Sequence, residues 1–220
     1  MNAVAVNNLT FAYRNGKTVL RDVSFTVSAG EVFMITGASG CGKTTLCHIL
    51  CGIIPHAVIG NLSGQISIMG IYPITAGLPQ TALQAGMVFQ DAESQIICAT
   101  VEDEIAFGLE NLCWKPEEIR RRVDGLMVEF GFSGLNLTNP SHLSGGQKKL
   151  LTIAAVLAPA PPILILDEPF SGLDTDGCEL VNAAIAKQRQ QGRTVIIAEH
   201  DYKKGMFADS YLQIDNGKAV

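Results

Sequence analysis

Residues 37–44 read Gly-Ala-Ser-Gly-Cys-Gly-Lys-Thr, and no other stretch of the chain limits its fold so tightly. The spacing G-x-x-x-x-G-K-[ST] needs an apolar strand leading in and a helix leading out. Val32-Phe33-Met34-Ile35, punctuated by Gly30, is a short apolar run of the kind that forms a buried strand, and Lys43 to Cys51 reads as the helix. The glycines let the backbone turn inward so that successive N–H groups face phosphate oxygens, and the helix amino end adds partial positive charge. Lys43 can then set a point charge between β- and γ-phosphates, and the Thr44 hydroxyl is suited to ligate magnesium.

The surrounding pattern extends this unit into a layered domain. Ala3 to Thr10 alternates and reads as a strand, Asn15-Gly16 as a turn, and Val19 to Val27 as a second strand. Ser63 to Gly70 reads as an edge strand. From about Ala92 to Asn139 the pattern is helical: Pro116-Glu117-Glu118 opens a helix, Ile119, Val123, Leu126 and Met127 share a face, and Gly131 ends it. Arg120-Arg121-Arg122 reads as a solvated face, with a partner contact as the alternative. A helix over Gly146 to Leu157, a strand over Ile163 to Leu166, a helix over Gly177 to Gln190 and a strand over Thr194 to Ala198 complete the pattern. That alternation implies right-handed crossovers and a mostly parallel, buried sheet.

With 220 residues, nearly half of them apolar, the chain can bury one core with a small inserted subdomain. A net charge of -5 argues against a general nucleic-acid binder. No apolar run approaches the ~18 to 20 residues that cross a bilayer. The amino terminus lacks the pattern of a signal peptide, so a cytosolic chain is expected. Six cysteines show no disulfide framework. Cys47, His48 and Cys51 could suggest a metal site, but further ligands are not evident, and ordinary reduced thiols are the expectation. Cys41 sits at the start of a helix, where thiol pKa falls; alkylation there is expected to block nucleotide binding.

A second group of residues supplies what phosphoryl transfer needs. Ile163-Leu164-Ile165-Leu166-Asp167-Glu168 is an apolar strand ending in two acids, which would face the ligand crevice of an open α/β sheet. Asp167 is suited to hold magnesium through water, and Glu168 to polarise an attacking water. Leu143-Ser144-Gly145-Gly146-Gln147 opens another helix and makes a second anion cradle. One chain thus offers two cradles: either it binds two anions, or the second serves a nucleotide held by another chain.

With these motifs in order, the chain resembles ABC-type ATPases over essentially its whole length. The carriers are Gly37 to Thr44 (Walker A), Leu143 to Gln147 (the signature), Ile163 to Glu168 (Walker B), Ser171-Gly172-Leu173-Asp174 and His200. The resemblance implies a P-loop NTPase (RecA-like) α/β core with a mostly parallel sheet, an amino-terminal antiparallel β portion and an inserted helical subdomain. Residues 1–91 and 150–220 would form the core and 92–149 the helical part of a single domain. It implies ATP and Mg2+ as ligands and a head-to-tail dimer in which the signature contacts ATP across the interface. Nucleotide contacts would come from Tyr13 (stacked on adenine), Gly37, Ala38, Ser39, Gly40, Cys41, Gly42, Lys43, Thr44, Thr45, Ser144, Gly145, Gly146, Gln147 and Asp174. Thr44, Gln90 and Asp167 would hold the metal; Glu168, His200, Gln90 and Lys43 would be catalytic. Gln90 would touch the attacking water and couple the site to a membrane partner, and His200, within Glu199-His200-Asp201, would contact the γ-phosphate and hold Glu168. The family commonly has arginine where this chain has Leu150, a departure that bears on local helix packing.

Phe89-Gln90-Asp91-Ala-Glu-Ser-Gln95-Ile96, Thr100 to Asn111 and Gly52-Ile-Ile-Pro55-His56 with Gly60 and Gly64 resemble the ATPases of energy-coupling factor (ECF) importers, which take up vitamins, cobalt or nickel. The alternatives are another ABC importer ATPase, or a soluble ABC ATPase working on nucleic acid; the chain shows no coiled-coil insert, tandem cassette or basic arm of the latter. The expected partners are integral membrane transporter subunits and a second ATPase subunit, the same or different. No nucleic acid and no direct membrane insertion are expected, and the place of work is the cytoplasmic face of the membrane, peripherally bound. Many ECF ATPases carry a carboxy-terminal extension beyond the point where this chain ends, so a scaffold subunit or second ATPase is expected to help hold the pair.

Overall fold

A computed structural model of the chain describes residues 1–200 and 208–220. These residues group into two compact units, one of 1–87, 161–168 and 187–220, the other of 88–160 and 169–186.

The first unit begins with β1 (Asn2–Tyr13) and β2 (Thr18–Ser28), joined through the turn at Asn15-Gly16 and paired antiparallel with Phe11 opposite Leu20. Both are longer than the alternation alone suggests. After β3 (Val32–Thr36) come α1 (Lys43–Leu50), the short α2 (Ile53–His56) and β4 (Gly60–Ile68). β4 pairs antiparallel with β1 and forms the edge of a three-stranded sheet ordered β2-β1-β4. Two single-turn helices, α3 (Pro73–Ala76) and α4 (Leu78–Ala82), lead to β5 (Ala85–Val88), a strand the sequence pattern did not suggest.

The second unit holds α5 (Val101–Asn111), α6 (Pro116–Glu129) and α7 (Gly145–Leu157). Thr100 caps α5, accepting from the Asp103 amide, and three acids fill its first turn, matching the helix dipole. α6 starts on Pro116 and ends before Gly131, whose φ of 74° supplies the left-handed residue a helix end favours. Residues expected to be helical before α5 instead form a loop with one 3-10 turn at Glu93–Gln95. Arg120 and Arg121 are exposed, but Arg122 is not a solvated residue as expected. Its guanidinium donates to the carbonyls of Leu157 (2.6 Å) and Ala158 (3.0 Å), satisfying the carboxyl end of α7. Leu150, where an arginine was the family pattern, is buried within α7.

β6 (Ile163–Asp167), α8 (Thr175–Gln190), β7 (Thr194–Glu199), β8 (Ser210–Asp215) and β9 (Lys218–Ala219) complete the chain. The six-stranded sheet runs β5-β6-β7-β3-β8-β9, with β6, β7, β3 and β8 parallel and β9 antiparallel to β8. β6 and β7 are buried at every position, as continuous apolar runs must be when a sheet is covered on both faces. Burying one such Ile, Leu or Val contributes about 1.5–3 kcal/mol.

Register matters most for function. Thr36 pairs with Glu199, and Asp167 with Ala198, so the carboxyl ends of β3, β6 and β7 lie side by side. The residues that leave each strand are therefore delivered to the same place.

Candidate functional site

The loop after β3 is built around glycine. Gly37 and Gly42 have φ of 149° and 118°. A Cβ on Gly37 would lie 2.2 Å from the Ile214 carbonyl oxygen, and one on Gly42 2.9 Å from Leu20 Cδ2. Any side chain at either position would displace the loop. The loop ends on Gly42, which leaves the amino terminus of α1 without a side-chain cap. Uncapped N–H groups at a helix start suit an anion. Lys43 is buried, and its ammonium donates to the carbonyls of Gly37 (2.7 Å) and Ala38 (3.1 Å). Ala38, Ser39 and Gly40 are exposed at the loop tip.

Cys41 is buried, with its sulfur against Gly37. Buried thiols are inert, so the reactivity expected from its position at a helix start is opposed by its packing. Tyr13, at the end of β1, meets the Thr45 hydroxyl at 3.0 Å and packs edge-on to Phe11 at 4.9 Å between ring centres. The structure thus joins Tyr13 to the first turn of α1.

The carboxylates lie on the strands beside this loop. Asp167 is 1% exposed, and neither of its carboxylate oxygens has a hydrogen-bond partner among the described residues. Burial raises its pKa above the ordinary carboxylate range. The Thr44 hydroxyl opposes that rise from nearby, without reaching hydrogen-bond geometry, Glu168 adds to it, and His48 and Lys43 also oppose it. Burial lowers the pKa of His48, against the pull of Asp167. Two buried, unpartnered oxygens next to a hydroxyl are what a hard divalent cation binds, so the donor set fits magnesium.

Glu168 has φ of 49°, and its amide donates to the Ala198 carbonyl at 2.9 Å. A non-glycine residue in this conformation costs about 1–3 kcal/mol and is characteristic of functional positions. His200 Nδ1 lies 3.8 Å from Glu168 Oε1 and 3.3 Å from Glu199 Oε2. Glu199 is fully buried, and its other oxygen has no partner among the described residues. Asp201, the third residue of that run, lies outside the described residues. The first unit therefore brings together Tyr13, the loop from Gly37 to Thr45, Asp167, Glu168 and His200.

Gln90, the signature turn and Asp174 belong to the second unit. Gln90 is exposed. Ser144 and Gln147 form a capping box: the Ser144 hydroxyl accepts from the Gln147 amide (3.2 Å), and the Gln147 side-chain oxygen accepts from the Ser144 amide (2.9 Å). That pair occupies two of the amides at the helix start, so Gly145 and Gly146 carry the N–H groups left to meet an anion. Asp174 caps α8, accepting from the Gly177 amide at 2.8 Å.

Three polar contacts in the second unit escaped the sequence reading. Lys149 is buried, with its ammonium on the Gln90 carbonyl oxygen at 2.9 Å. Glu104 is buried and accepts from the amides of Ile97 (2.9 Å) and Cys98 (2.8 Å). Arg122 is the third. Lys149 stands four residues before the buried Ile153 on α7, a spacing that places it on the inward face.

The family model for ABC transporters matches residues 20–171. The energy-coupling factor transporter ATP-binding protein EcfA1 of Levilactobacillus brevis is 40% identical over 222 residues, spanning all of this chain and 77% of that protein. A Methanosarcina mazei protein, provisionally named an ABC transporter ATP-binding protein, is 40% identical over 220 residues. These span 99% of this chain but only 38% of the relative's length. Among solved structures, CbiO1 of Clostridium perfringens, part of the ABC transporter complex CbiONQ, aligns over 100% of this chain and 87% of its own. The TM-score is 0.85 at 32% identity. A dimeric ATP-binding cassette in a post-hydrolysis state, bound to ADP and Pi, aligns over 98% of this chain and 96% of its own, with a TM-score of 0.87 at 25% identity.

Proposed function

The chain belongs to the ABC transporter family, and from that premise we propose that it is the ATP-binding and ATP-hydrolysing subunit of an ECF-type importer for a vitamin or a transition-metal ion. It would act at the cytoplasmic face of a membrane, bound to integral membrane subunits and paired with a second ATPase chain. One observation carries the reading. The register of β3, β6 and β7 delivers a phosphate loop, two carboxylates and a histidine to the carboxyl ends of these strands, beside an uncapped helix start. The likeness to EcfA1 and CbiO1 supports the ECF assignment.

The roles follow from position together with the family resemblance. Loop amides and Lys43 bind the phosphates, and Tyr13 stacks on the base. Asp167 and Thr44 are the residues of the first unit that would hold magnesium, which when bound offsets charge on the phosphates, and the family resemblance assigns Gln90 to the same chemistry. Glu168 polarises the attacking water, and His200 keeps that carboxylate oriented. The signature turn, Ser144 to Gln147, serves the nucleotide of the opposite subunit, because its free amides suit a phosphate that its own chain already holds elsewhere. Asp174 joins it at that interface.

Purification from membranes tests this reading. Co-purification with integral membrane proteins, and hydrolysis that depends on Lys43, are expected. Hydrolysis stimulated by nucleic acid, with no membrane partner, would overturn it.

A further inference from the structure

The helix that begins at the signature turn also grips the segment carrying Gln90. Lys149 donates to the Gln90 carbonyl at 2.9 Å, the Thr152 hydroxyl is shared between the Lys148 carbonyl (3.0 Å) and the Ala92 carbonyl (3.2 Å), and Lys148 pairs with Glu93 at 2.7 Å. These three contacts are unequal. The Glu93 side chain is 61% exposed, so its pair with Lys148 is open to water and salt. Lys149 is only 5% exposed. Lysine is almost never that buried unless paired, and a charge-assisted hydrogen bond shielded from water is stronger and more directional than an exposed one. Glu104 pins the far end of the same segment through Ile97 and Cys98. The main chain is thus fixed on both sides while the Gln90 side chain stays exposed.

We propose that Lys149 is a positioning residue for ATP hydrolysis. Its ammonium sets the backbone at Gln90, and with it the direction in which the Gln90 amide is presented. Lys149 sits five residues beyond Ser144 on the same capped helix. A shift of the signature turn on meeting a phosphate therefore reaches Gln90 through the Lys149 hydrogen bond. The inference rests on the roles proposed for Gln90 and the signature turn.

The test is steady-state hydrolysis by the full chain, assembled as the wild type is assayed, with Lys149→Met and Lys149→Arg. Methionine keeps the apolar stem and loses the donor; arginine keeps a cation that can donate to a carbonyl. Lys149→Met should lower kcat by about 10- to 100-fold, the scale of an ångström-level misplacement, with KM for ATP unchanged. Lys149→Arg should recover most of the rate. Hydrogen exchange over residues 90–98 should rise in Lys149→Met alone. Wild-type kcat in Lys149→Met, or kcat and nucleotide affinity falling together, overturns the inference. If Lys149→Met does not fold, Lys149→Gln takes its place under the same criteria. A wild type whose turnover survives Lys43→Ala sinks the functional reading itself; turnover that needs Lys43 but ignores Lys149 sinks only this inference.

Discussion

The ammonium of Lys43 lies 2.7 Å from the carbonyl oxygen of Gly37, so the phosphate loop is closed on itself by the residue that follows it. Lys43 reaches Ala38 as well, and these bonds hold the charge in place before any ligand arrives. Lys43→Ala should therefore cost the free protein about 1.5–3 kcal/mol, the scale for hydrogen bonds made by a charged group. It should also abolish the response to nucleotide. At ATP near ~100 times its Kd the wild type gains about 2.7 kcal/mol of stability. Thermal melts with and without Mg-ATP check both halves, and a nucleotide-induced shift retained by the variant would refute the assignment.

Asp167 is buried and its neighbour Glu168 half-buried, and their substitutions should separate. Glu168→Gln keeps shape and should keep ATP affinity while kcat falls about 10²- to 10⁴-fold, the range for loss of a general base. A closed dimer should accumulate by size-exclusion chromatography with ATP. Normal turnover in this variant would remove Glu168 from its role.

Asp167→Asn should make the free protein more stable at neutral pH, by about 1–3 kcal/mol, because a buried unpartnered carboxylate becomes neutral. The sign with pH comes from the raised pKa. The folded state binds this proton more tightly than the unfolded one, so the charged carboxylate costs stability as pH rises through the folded pKa. The gain from Asn should shrink toward the ordinary carboxylate pKa, near about 4. The same variant should lose hydrolysis and the added stabilisation by magnesium with nucleotide. Denaturant melts across pH check this; a variant less stable than wild type at neutral pH would contradict it.

Arg122→Met should destabilise the protein by about 1.5–3 kcal/mol, the scale for hydrogen bonds made by a charged group, because the Ala158 carbonyl loses the guanidinium and the Leu157 carbonyl keeps only the Ala160 amide. Nucleotide affinity should stay unchanged. An unaltered melting temperature would show that water caps α7 equally well.

Much of the core was legible because its signals are local. Ile163 to Leu166, Val195 to Ala198 and the glycine loop each announce their element within a few residues, and Ser144 with Gln147 spells a helix start. β5 was hidden because four residues with Gly86 at the second position carry too little strand propensity. β8 alternates buried and exposed as Leu212, Gln213, Ile214 and Asp215, but it is short and its pairing with β3 is distant in sequence. Among site residues, the motif positions could be read directly, whereas the convergence of Glu168 with His200 depends on strand register. Arg122 reads as a surface cation and Lys149 carries no signal at all, because their partners are backbone carbonyls, which leave no trace in side-chain patterns.

The central claim is that each nucleotide is held by the phosphate loop of one chain and the signature turn of another. Gly145 offers a clean probe: a Cβ there meets nothing within 4 Å, so Gly145→Asp leaves the fold intact but sets a carboxylate where a partner's phosphate would dock. Gly145→Asp and Lys43→Ala should each be inactive alone, and hydrolysis measured after co-assembling the two should return, because one intact loop then faces one intact turn. A mixture no more active than its separate components, or a Gly145→Asp chain that hydrolyses ATP normally, would contradict the account.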